Sequence, residues 1–189
     1  MGGDAMRFMF PVFALLAGLL FCAGSAVAAV TVISSNFAHA CYEAARDGAV
    51  ATDPCDKSFD VEILIGRDRA ATYVNRAIIL TNGRHLNAAL EDLARAEEVM
   101  PELGEIYASR GNVFYYRHRY EEALKQYDLG MSKGITELFA VHYDRGLALE
   151  RLGRVEEAKA AFRQSLELAP DFKLAKESLA IYEDGKVVQ

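Results

Sequence analysis

The sequence predicts an all-α fold, a solenoid of stacked antiparallel helix hairpins, and three observations carry that prediction. Apolar residues recur at intervals of three and four, as in Leu149 and Leu152 and then Val155, Ala158, Phe162 and Leu166, which is the helical period. Small residues and aromatics recur at a fixed offset. Tyr107, Gly111, Ala123 and Tyr127 stand 35 residues before His142, Gly146, Ala158 and Phe162, and 34 residues after Tyr73, Ala77, Ala89 and Leu93. Self-similarity at this period signals a repeated supersecondary unit. Breakers fall where such units must turn: Pro101 and Pro170 end corresponding helices, and Gly83, Gly130, Gly134 and Gly153 punctuate helix ends.

In chain order, residues 1–28 come first. Arg7 precedes an apolar stretch from Phe8 to Cys22 that gives way to small residues, the pattern of an export signal. Cleavage is expected after Ala28, because Ala26 and Ala28 place small side chains at the peptidase pocket, and Met6 is a candidate start. The alternatives are an uncleaved membrane anchor, for which the run is short of the roughly 20 residues that span a bilayer, and a lipidated Cys22, against which the bulky Phe21 argues. No stable membrane span is expected after removal.

Residues 29–69 read as a degenerate helical hairpin. Counting back 34 from Ala89 and Leu93 lands on Cys55 and Phe59, and Cys41 lies 14 before Cys55 with Phe37 four residues further back. Two extra turn residues account for the longer spacing. Asp53 and Pro54 supply a capping carboxylate and a ring pre-set for the first turn. The two cysteines therefore fall where the helices approach closest, and export makes a Cys41–Cys55 disulfide the leading reading. Two buried free thiols are the alternative. A redox-active pair is not expected, because there is no Cys-x-x-Cys.

Residues 70–103, 104–138 and 139–172 are the three regular units. Within each, small residues mark where two helices can cross closely: Ala77 with Ala89, Gly111 with Ala123, Gly146 with Ala158. Tyr107 and Tyr127, or His142 and Phe162, fill the space one turn away. Arg76, Arg110 and Arg145 each precede the small residue of the first helix, and Asp92 on the facing helix predicts an Arg76–Asp92 pair. Gln126 and Ala161 at the equivalent places exclude the same pair elsewhere. Residues 173–189 give a capping helix and tail, with Leu174, Leu179 and Tyr182 on one side and Lys173, Lys176, Glu177 and Glu183 on the other.

The pattern resembles the tetratricopeptide repeat (TPR) family over about residues 70–172, on Ala77, Ala89, Gly111, Ala123, Tyr127, Gly146, Ala158, Phe162 and Pro170. Ile135 replaces the expected proline in the second unit, and Ala77 replaces glycine in the first. The resemblance implies that the first helix of each unit lines a concave face that binds an extended peptide or a partner's helix. By position that face carries Val74, Ile78 and Thr81, then Ala108, Asn112 and Tyr115, then Tyr143, Leu147 and Glu150. Ordinary packing between units is the competing role for these residues. Some members clamp a terminal carboxylate with cations and asparagine, but the matching places here hold Val74, Ile78, Ser109, Ala140 and Asp144, so an apolar or mixed peptide is expected.

No catalytic, cofactor or metal motif is present. Gly-x-Ser-x-Gly, the phosphate-binding Gly-x-x-x-x-Gly-Lys-Ser and His-Glu-x-x-His are absent, and His39, His85, His118 and His142 are dispersed. A net charge of −6 without a basic stripe argues against nucleic acid. Arg117–Arg119 reads as a solvated basic corner. The expectation is an exported, non-enzymatic adaptor of a bacterial periplasm, binding another protein and needing no cofactor or metal. A homo-oligomeric structural component of the envelope is the alternative, and self-association stays open.

Overall fold

The computed structural model describes residues 29–30 and 36–183. The expected export signal, with Met6 and Cys22, lies outside the described residues. Among the described residues there are helices and no strands: α1 (Asn36–Arg46), α2 (Asp53–Val61), α3 (Gly66–Asn82), α4 (Leu86–Val99), α5 (Gly104–Tyr116), α6 (Tyr120–Lys133), α7 (Leu138–Arg151), α8 (Val155–Leu168) and α9 (Lys173–Glu183). None is long and apolar enough to cross a membrane.

The helices pair as α1/α2, α3/α4, α5/α6 and α7/α8, and α9 packs on α8. Each second helix also touches the next first helix, and the first helices α1, α3, α5 and α7 lie side by side in that order. This is the three-unit solenoid with a degenerate front hairpin and a closing helix. Its interior runs along the stack: Ala77, Ala89, Ala123, Ala158 and Phe162 have no exposed surface, and Tyr127 has 1%. Pro170 is exposed, two residues past the end of α8. On α9, Ala175 is buried and Leu174, Leu179 and Tyr182 pack against the last hairpin.

The close crossings differ from the expected pairing in one respect. A Cβ on Gly111 would lie 2.4 Å from the Tyr127 ring, and a Cβ on Gly146 would lie 2.4 Å from the Phe162 ring. The atoms nearest the Cβ position of each glycine belong to the aromatic of the opposite helix, one turn beyond the expected alanine. The reason is directional: a helical side chain leans toward its own N-terminus, so the ring from position 127 or 162 covers the level where its alanine sits. Gly130 also departs from expectation. It lies inside α6 rather than at its end, and its backbone meets that of Gly104, where a Cβ on either residue would come within 2.9 Å of the other's carbonyl oxygen. Gly134 does end α6, at φ 85°.

At the front, Cys41 and Cys55 form a disulfide with Cα atoms 4.7 Å apart and no exposed surface. The start of α2 differs in detail from expectation. Asp53 is its first residue, no side chain caps it, and the Thr52 hydroxyl donates to Asp56 instead (2.7 Å).

The Arg76–Asp92 pair is present and bidentate, at 2.7 and 2.8 Å, with Asp92 almost fully buried. Arg76 also reaches back to Asp56 on α2 (2.7 Å). That second bond has a counterpart in each later unit. Arg110 on α5 pairs with Glu97 on α4 (2.5 Å), and Arg145 on α7 pairs with Asp128 on α6 (3.0 Å). The recurring arginine ties each first helix to the second helix of the hairpin before it, so it orders the stack as well as a hairpin.

Candidate functional site

The face built by α3, α5 and α7 is where the positional expectation falls, and burial divides its residues sharply. Val74 (0% exposed), Ile78 (2%), Asn112 (5%), Tyr143 (3%) and Leu147 (6%) lie in the interior. Only Tyr115 and Glu150 of the expected set are half-buried. Neighbouring first helices are close enough that the positions one residue round from the hairpin seam meet the next helix. An open trough is not what these side chains line. A space among them, bounded by Ile78, Thr81, Ser109 and Asn112, holds about 10 Å³, room for a single water at most.

Asn112 is also chemically committed. Its carboxamide oxygen accepts from the Tyr127 hydroxyl at 2.6 Å, which satisfies a phenol buried in the α5/α6 hairpin. Tyr143 packs between Phe162 and Phe172, with ring centroids 5.7 and 5.3 Å away. Burial pushes its hydroxyl up in pKa, and a hydrogen bond with Ser178 acts in the opposite direction. Tyr143 is thus an internal strut between α7 and the closing helix.

What remains accessible lies toward the C-terminal ends of α5 and α7. Tyr115 stands edge-on to Tyr116 and Tyr120, and its hydroxyl accepts from Nε of the exposed Arg151 at 3.3 Å. Burial pushes the Tyr115 hydroxyl up, while the Arg151 contact pulls it down. Next to it, Glu150 accepts a hydrogen bond from Tyr182 of α9, which together with burial raises the Tyr182 hydroxyl. The result is a patch of two phenols, a guanidinium and a carboxylate supported by three helices. It offers apolar area with hydrogen-bonding tips and no nucleophile beside a base. Arg151 and Tyr182 were not among the expected face residues, although Tyr182 was placed on the packed side of the closing helix.

The opposite end of the face is occupied. The Asn75 carboxamide, fully buried, accepts from the Val30 N–H and donates to the Val30 carbonyl, both at 2.8 Å. Val30 itself is 2% exposed and joins the core cluster that runs from α1 to α5. Nothing in the sequence pattern pointed to this contact, because two residues carry no periodicity.

The basic corner is partly used within the fold. Arg119 pairs with Glu122 (2.8 Å) and lies over Phe114, Arg117 donates to Asn87, and Arg84 stacks on Tyr116 at 3.9 Å. Arg84, His85, Asn87 and Arg117 edge an open hollow of about 480 Å³. His142 is half-buried with Nδ1 lacking a hydrogen-bond partner, and burial lowers its pKa, consistent with a packed side chain. His39, His85 and His118 are exposed. Among the described residues no three metal-ligating side chains converge.

With this geometry in view, residues 139–172 match the family model described as tetratricopeptide repeat. Human tetratricopeptide repeat protein 13 is 27% identical over 117 residues, 62% of this chain and 13% of that protein. The DnaJ homolog subfamily C member 7 homolog of Schizosaccharomyces pombe is 29% identical over 111 residues, 54% of this chain and 22% of that protein. The chain therefore spans less than a quarter of either relative. Among solved structures, the first TPR of Spaghetti (RPAP3) bound to the HSP90 peptide SRMEEVD superposes with a TM-score of 0.58 at 17% identity, over 67% of this chain and 99% of that one.

Proposed function

Because the chain is a tetratricopeptide repeat protein, we propose that it acts as an exported, non-enzymatic adaptor, holding another envelope protein on the face built by α5 and α7. The observation that carries this reading is the patch of Tyr115, Glu150, Arg151 and Tyr182. Tyrosine and arginine are the residue types that concentrate binding energy, because they present large, partly rigid surfaces with polar tips. The Spaghetti domain was solved with a peptide bound. In this chain Val74, Ile78, Ser109, Ala140 and Asp144 stand where carboxylate-clamping side chains would be needed, so the ligand is an apolar or mixed segment rather than an acidic C-terminus.

Export rests on residues 1–28, and the Cys41–Cys55 disulfide supports an oxidising compartment. An Ala-rich cleavage region and a single remaining cysteine pair fit a bacterial periplasm. The test is cross-linking in the native envelope followed by capture, comparing the wild-type chain with Tyr115→Ala plus Arg151→Ala. The partner should be lost on double substitution while the melting profile is preserved. An unchanged partner would remove the assignment of the face. Exposed Leu168 and Ile181 near the closing end favour one second reading, stacking of copies into a homo-oligomer. Light scattering across concentrations separates it from a monomeric adaptor.

A further inference from the structure

We infer that the surface of α3 around Asn75 is a docking subsite for an extended chain, filled in this structure by the protein's own residues 29–30, and that a partner segment gains the α3 end of the face only by displacing them. The inference rests on the adaptor reading and specifies part of its ligand: a stretch of extended backbone carrying a β-branched apolar side chain.

Three observations carry it. A carboxamide is the one neutral side-chain group that offers a donor and an acceptor side by side, and Asn75 spends both on the N–H and C=O of a single residue. Such a bond pair reads main chain and not side chain, so any extended segment can satisfy it. The equivalent positions in the next two units, 34 and then a further 35 residues on, hold Ser109 and Asp144, neither of which offers that pair, so the device belongs to the α3/α4 unit alone. Selectivity then comes from the apolar site that leaves Val30 2% exposed.

The occupant is held by a tether. Five residues separate Val30 from α1, which begins at Asn36. A tether this short gives the docked segment an effective concentration on the order of millimolar. A competitor arriving from solution meets a site whose free fraction is small, and its apparent affinity falls by that fraction. Asn75 cannot be left bare inside the fold without cost, since a buried carboxamide that loses both partners is destabilising. Exchange of one extended segment for another leaves it satisfied before and after.

The test uses a fluorescent peptide with the sequence of residues 29–35, Ala-Val-Thr-Val-Ile-Ser-Ser, titrated by anisotropy into the purified protein, into Val30→Asp, and into Val30→Asp with Asn75→Ala. A buried aspartate cannot hold the subsite, so Val30→Asp should bind the peptide at least about tenfold more tightly than wild type. Asn75→Ala should abolish that gain. Hydrogen exchange on the unaltered protein, which needs no variant to fold, should show the Val30 amide protected. Equal binding by wild type and Val30→Asp, no binding by a Val30→Asp protein that melts cooperatively, or a Val30 amide exchanging at the free-peptide rate would each overturn the inference. Failure here with Tyr115-dependent partner capture intact leaves the adaptor reading standing. Capture that ignores Tyr115 removes that reading instead.

Discussion

At the scale of single residues, the account depends on missing bulk at two crossings and on one buried ion pair. A methyl at Gly146 would sit 2.4 Å from Cε1 of Phe162, whose ring is fully buried and flanked by Tyr143, so it has little room to turn. Alanine gains about 1 kcal/mol of helix propensity, but overpacking costs about 1–3 kcal/mol. Gly146→Ala should therefore lower stability by about 1 kcal/mol net in a denaturant titration, and Gly146→Leu by more. Asp92→Ala strips the bidentate partner from Arg76, which keeps Asp56, so a loss of about 2–4 kcal/mol is expected. Asp92→Asn should recover part of it. The Arg76–Asp92 pair was legible because both residues stand at fixed steps from the repeat's small residues. The partner of Gly111 was not, because spacing gives the level of a side chain on its helix and not the lean that brings Tyr127 back over Ala123.

At the scale of helices and hairpins, the front unit is held by sulfur and the later joints by charge. In the chain-entropy model a disulfide closing a loop of this size contributes about 3 kcal/mol. Reduction, or Cys41→Ala with Cys55→Ala, should lower the midpoint of thermal unfolding and should loosen α1 and α2 before the rest, read by hydrogen exchange. Between α4 and α5 the joint is Glu97 with Arg110. Burial acts to raise the Glu97 carboxyl, but the Arg110 guanidinium and the Tyr107 hydroxyl outweigh it and hold the group below the usual carboxylate range. A depressed folded pKa stabilises above the unfolded value of about 4.3 and loses that contribution as pH falls toward the folded pKa. Glu97 is partly exposed, so the contribution is below about 1 kcal/mol. The stability gap between wild type and Glu97→Gln should be full above the unfolded carboxylate value and should narrow as pH falls below it. The cysteine pair was legible because it falls on the repeat's own register, 34 residues before Ala89. The Arg110–Glu97 and Arg145–Asp128 joints were not, since pairing across units depends on how one hairpin is set against the next.

At the scale of the whole molecule, the stack turns a repeated crossing into one continuous face, and the ends decide how much of it is open. Residues 29–30 lie against α3, and α9 lies against the last hairpin, bonding Glu150 through Tyr182. The accessible patch between these ends centres on Tyr115 and Arg151. Sequence position correctly set first helices beside one another, yet it could not show that Val74, Ile78, Tyr143 and Leu147 are interior, because burial there is produced by the neighbouring unit and not by the helix's own pattern. Calorimetric titration of the captured partner bears most directly on the central claim, with Tyr115→Ala on the first-helix face set beside Leu129→Ala at an exposed site on α6. The account predicts affinity at least about tenfold weaker for Tyr115→Ala and unchanged for Leu129→Ala. Binding that survives the first substitution and fails with the second would place the partner on the other side of the stack.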